Sequence, residues 1–78
     1  MTVPLTYARA VAVTPSNTVN FAAGLCRAIY VGGAGNITAI VNGVAVLFTA
    51  VPVGTILPIQ ATRVNATATT ASAMVALY

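Results

Sequence analysis

Ile37-Thr38-Ala39-Ile40-Val41-Asn42-Gly43-Val44-Ala45-Val46-Leu47-Phe48-Thr49-Ala50-Val51 is the stretch that decides the fold. Two apolar, β-branched runs, 37–41 and 44–51, flank Asn42-Gly43, the dipeptide that most readily takes the two left-handed positions of a type I′ turn. The stretch therefore predicts a β-hairpin with a two-residue loop.

Working outward, the same period-two rhythm recurs. Residues 7–14 alternate Tyr7, Arg9, Val11 and Val13 with Ala8, Ala10 and Ala12, which predicts a strand with a smooth alanine face. Pro15, Ser16 and Asn17 signal a turn, after which 18–21 reads as a short strand and Gly24 as part of a connection. Residues 27–31 predict another strand. It is closed by Gly32-Gly33-Ala34-Gly35-Asn36, a loop in which positive φ is expected at several positions. Pro52, Val53 and Gly54 make the next turn. It leads into 56–64, where Pro58 lacks an amide donor and belongs near a strand start, an edge or a bulge. Residues 65–70 are small and polar, and 72–77 form a closing strand. About seven short strands without helical periodicity predict an all-β domain, a small antiparallel β-sandwich or jelly roll, spanning 1–78 as one unit. A small barrel has the same local signature.

The chain has 78 residues with no Asp, no Glu and no His. General acid–base catalysis needs a side chain that titrates near neutrality, and metal sites need carboxylates, imidazoles or clustered thiolates. The composition therefore argues against an enzyme and against any metal or cofactor. The one cysteine, Cys26, cannot form an internal disulfide. With only Arg27 beside it and no histidine to act as base, it reads as a buried packing residue.

A domain of this size buries only roughly 60% of its unfolded surface. Yet hydrophobic residues make up 59% of the chain, and the six glycines bring the apolar share to about two-thirds, against a usual 45–50%. The surplus reads as interface with partners. Unguarded by lysines or acids, the sheet edges are expected to be capped by neighbouring subunits.

Three scattered arginines, Arg9, Arg27 and Arg63, give the chain its net charge of +3. They could neutralise only about three phosphates, so nucleic acid is not the expected partner. With Tyr78, whose terminal carboxylate would be the one anion available, they are the candidate interface residues. Residues 28–62 carry no charge, which raises a membrane span. Gly32, Gly33, Gly35, Asn36, Asn42, Gly43, Pro52, Gly54 and Pro58 interrupt the stretch too often for a twenty-residue helix, and the length is too short for a membrane barrel. No membrane association is expected. The opening residues lack the pattern of a secretory signal, so the sequons at Asn36 and Asn65 carry little weight, and the free Cys26 fits synthesis in a reducing cytoplasm.

Gly32-Gly33-Ala34-Gly35 is not followed by Lys-Ser or Lys-Thr and reads as a loop rather than a phosphate cradle. Tyr7, Phe21, Tyr30, Phe48 and Tyr78 are too dispersed for a base-stacking platform, and Phe48 reads as core.

Several segments resemble the small spike-base and head-decoration proteins of tailed bacteriophages and gene transfer agents. They are Arg27-Ala28-Ile29-Tyr30-Val31-Gly32-Gly33, Gly54-Thr55-Ile56-Leu57-Pro58-Ile59, Thr62-Arg63-Val64-Asn65-Ala66-Thr67 and Ala76-Leu77-Tyr78. The resemblance covers 24–78 and leaves 1–23 as an N-terminal arm or first strands. It implies a non-enzymatic virion structural protein on the outer surface of the head, acting as decoration, cement or spike base. Such a protein would form a homotrimer or homopentamer docked on the major capsid protein, with a spike or fibre as a further partner. A tail or baseplate component and a host-surface glycan-binding module, with Tyr7 and Tyr30 as contacts, are the alternatives.

Overall fold

The computed structural model describes residues 6–78, so the first five residues of the expected N-terminal segment lie outside it. Seven strands follow one another: β1 (Ala10–Ala12), β2 (Ala28–Tyr30), β3 (Gly35–Val41), β4 (Val44–Val51), β5 (Ile56–Leu57), β6 (Ala61–Asn65) and β7 (Val75–Leu77). They form two antiparallel sheets, β1-β7-β2-β5 and β4-β3-β6, packed as a small β-sandwich. Among the described residues no helix is long and apolar enough to cross a membrane.

The β3–β4 hairpin forms as its turn dictates. Asn42 (φ 51°) and Gly43 (φ 77°) both occupy the left-handed region, and Val41 pairs with Val44 across the loop. In this register Ile37, Ala39 and Val41 share a face with Phe48, Val46 and Val44. Ile37 and Ala39 on that face are fully buried. They meet Ile29 of β2 with Cys26 and Val31 on either side of that strand, Ala61 and Val64 from β6, and Ala71, Met74 and Ala76 from the approach to β7 and from β7 itself. Phe48 is not core as expected. It is half-buried and packs on the rim, because the edge strand that carries it has no neighbour beyond it among the described residues.

Three strand expectations are corrected. Residues 56–64 do not make one strand: Pro58 separates β5 from β6, which belong to different sheets. The missing amide and fixed φ of proline end the ladder, and the Ile59 amide turns back to the Leu57 carbonyl at 2.9 Å. Residues 18–21 form no strand. The Ser16 hydroxyl accepts from the amides of Thr18 (3.2 Å) and Val19 (3.0 Å), a local bond that competes with a ladder. Segment 13–27 is instead a strap. It leaves β1, lies along the outer edge of β6, where the Ser16 and Phe21 amides donate to the carbonyls of Val64 (2.8 Å) and Thr62 (2.8 Å), and returns to β2. The first strand is also shorter than the expected 7–14. Its three residues are all exposed.

The glycine-rich crossing from β2 to β3 works by contact rather than by the positive φ expected at several positions. Gly32 and Gly33 lie outside the positive-φ set, and within the crossing only Gly35 departs, with φ 157°. The Gly33 and Ser72 backbones instead exchange hydrogen bonds at 2.8 and 3.1 Å, which brings the crossing against the segment before β7.

Candidate functional site

The order β1-β7-β2 brings together residues that lie far apart in the sequence. β1 and β2 both run antiparallel to β7, so Arg9 and Arg27, each one residue before its strand, enter at the same end of the sheet on either side of Tyr78. The backbone confirms the register: the Tyr78 amide donates to the Arg9 carbonyl at 2.8 Å, Ala8 donates to the Tyr78 carbonyl at 2.9 Å, and Arg27 donates to Leu77 at 2.7 Å. Two strand spacings, about 10 Å, separate the chains bearing the arginines. Both arginines are exposed.

Tyr78 is half-buried against the core and its hydroxyl donates to the Gly24 carbonyl at 3.2 Å. Loss of solvent around the ring pushes its phenol pKa up from the ordinary 10.0, the nearby Cys26 thiol adds to this, and Arg9 opposes it. Cys26 itself is buried with 1% exposure, and burial pushes its thiol pKa up. The thiol donates to the Ile59 carbonyl at 3.5 Å. It is the buried packing residue its surroundings in the sequence suggest, since a raised pKa and exclusion from solvent both suppress thiolate chemistry.

Arg63 stands apart from the other two arginines. It lies on β6, on the face shared with Ile40, and is half-buried. Its Nε donates to Asn65 Oδ1 at 2.9 Å and its Nη1 to Asn20 Oδ1 at 3.0 Å, tying the strap to the second sheet. The two tyrosines considered for glycan contact are also apart. Tyr7 precedes Ala8 at the Tyr78 end of β7, whereas Tyr30 pairs with Val75, about 10 Å away along the strand direction and across β7.

Because no acidic side chain exists anywhere in the chain, the Arg9–Tyr78–Arg27 end of the sheet is a cationic edge with no side-chain counter-charge of its own. Such an arrangement recognises anionic groups presented by another molecule through charge-assisted hydrogen bonds. Two further surfaces were not visible in the sequence. A groove of about 230 Å³ lined by Val11, Val19, Phe21 and their neighbours runs between β1 and the strap. Along β4, Val44 (58% exposed), Leu47 (50%) and Val46 (38%) lie open to solvent. The one available signal was the unbroken apolar run 44–48 in β4, which an edge strand facing water on one side would not need.

No protein-family model matches the chain, and no curated protein does. Among solved structures, it is similar to a chain of the capsid of a native gene transfer agent (GTA) particle computed with C5 symmetry. The match has a TM-score of 0.83 and 32% sequence identity, and covers 94% of this chain and 84% of that one.

Proposed function

Because this chain belongs to the same family as that component of a gene transfer agent capsid, we propose that it is a non-enzymatic structural protein of the outer head surface, docked on the major capsid protein as decoration, cement or spike base. The observation that carries this reading is the placement of Arg9 and Arg27 on either side of Tyr78, exposed and without an acidic partner in the chain. An acidic patch on the capsid supplies the missing charge. Apolar burial supplies most of the adhesion, at about 25 cal/mol per Å², and the arginines supply orientation.

Size favours self-assembly, since a chain of this length with so apolar a surface is marginal alone. A fibre or spike is the natural further partner of a spike base.

The test is to add purified protein to heads that lack it and to count bound copies against salt. The expected result is saturable binding that weakens with ionic strength and falls when Arg9 and Arg27 are both changed to Ala. Undiminished occupancy of the Arg9→Ala/Arg27→Ala protein would contradict the role of the arginines, and absence of any head binding by the unaltered protein would sink the docking itself.

A further inference from the structure

Among the described residues three of the four sheet edges are blunted along their length, and the fourth is irregular only at its far end, where Ala50 (φ 54°) marks a bulge beyond the regular pairing of 44–48. β6 is covered by the strap through the Ser16 and Phe21 amides. β5 has two residues and runs directly into Pro58. β1 has three residues. β4, by contrast, is eight residues long, lies at the edge of its sheet and carries neither a charge nor a proline. Long apolar edges of this kind template pairing with another strand, and proteins that stay monomeric guard them with lysine, proline or brevity.

The hairpin register shows which groups are free. A two-residue loop makes Val41 and Val44 a hydrogen-bonded pair, and alternation makes Ala39/Val46 and Ile37/Phe48 the next such pairs. The amides and carbonyls of Ala45 and Leu47 therefore point away from β3, along the open edge. Beside them stand the exposed side chains of Val44, Val46 and Leu47.

We propose that the outer edge of β4 is the seam between copies of this chain, with a strand of a second copy adding to it through the free backbone groups of Ala45 and Leu47. This rests on the reading above that the chain assembles with itself. Charge selects the occupant. Every charged side chain of the chain is cationic, so a second copy brings like side-chain charge wherever Arg9 and Arg27 lie, whereas residues 28–62, which contain the whole hairpin, are uncharged. The cationic end of the first sheet is thus left for a partner of opposite charge, and the neutral edge for an identical copy.

The experiment combines native mass spectrometry with amide exchange on the full chain. A closed oligomer is expected, with the Ala45 and Leu47 amides protected in it. In Leu47→Pro the lost amide faces outward, so β3–β4 pairing survives while the seam loses a donor and gains a steric block. Self-association should weaken by about tenfold to a hundredfold, in line with the loss of one or two hydrogen bonds. Leu47→Lys, which needs no backbone change, should shift the chain toward monomer with an unchanged β circular dichroism spectrum. A monomeric unaltered chain, an oligomer in which the Ala45 and Leu47 amides exchange freely, or a Leu47→Lys protein that assembles normally would each overturn the seam. An oligomer that assembles through β4 but ignores heads would instead overturn the docking reading and leave the seam standing.

Discussion

Gly32 donates its amide to the Ala73 carbonyl at 3.1 Å, and a methyl group built on Gly32 would stand 2.6 Å from that same oxygen. The crossing between the sheets is closed by this approach, so glycine is required there for space. Gly32→Ala must push apart two backbones and should cost about 2 kcal/mol. Gly24→Ala offers a contrast, since its φ of 87° is strained for alanine but no atom lies within 4 Å of the added carbon. Its cost should be about 1 kcal/mol, from backbone strain alone. Urea unfolding of both variants checks the order, and a Gly32→Ala protein more stable than Gly24→Ala would show that the crossing can open freely.

The arginines should separate into two kinds. Arg63 spends both arms of its guanidinium on Asn65 and Asn20, so Arg63→Ala unties the strap from β6 and should lower stability by about 1 kcal/mol. For a domain of this size that is a fall of about 5 °C in Tm. Arg27 is exposed and makes no such bonds among the described residues, so Arg27→Ala should leave Tm nearly unchanged and weaken head binding instead. Calorimetry of the two variants beside a head-binding assay decides it. Equal losses of Tm would place both arginines in the fold.

Whatever depends on neighbours in sequence was legible before the structure. Asn42-Gly43 carries its turn within two residues, and the all-β class follows from short runs punctuated by Gly and Pro. Non-local features were hidden. Pro58 announced an irregularity, but not that β5 and β6 would join different sheets, because that depends on Leu57 pairing with Ile29 and Val64 with Ala39, both distant in sequence. The strap was misread since Thr18, Val19, Asn20 and Phe21 have strand-like composition, whereas their conformation is set by the Ser16 hydroxyl and by Asn17, whose side chain bonds with Thr67 fifty residues on. The nearness of Arg9 to Arg27 was invisible for the same reason: it is created by β7, which arrives last and pairs with both.

The pH profile of stability should be unusual, because the composition removes every side chain that titrates between about pH 3 and pH 8. Ordinary proteins lose stability in acid as paired carboxylates take up protons, and this chain has no carboxylate side chain to protonate. Its Tm at constant ionic strength should stay level from neutrality down to about pH 4. On the alkaline side the sign reverses. The pKa values of Cys26 and Tyr78 are both raised in the folded state, from 9.0 and 10.0, chiefly because burial disfavours the thiolate and the phenolate. A group whose folded pKa lies above its unfolded value stabilises fully below the unfolded pKa and loses that contribution as pH climbs through the folded one. Stability should therefore decline from about pH 9 upward. Cys26→Ser should not be used to isolate the thiol, since it buries a hydroxyl where a weak donor sits. Cys26→Ala should retain the acid plateau and show a shallower alkaline decline. Scanning calorimetry across the range reads both limbs, and a fall of Tm between pH 7 and pH 4 would mean that an acid-titrating group outside these side chains contributes to the fold.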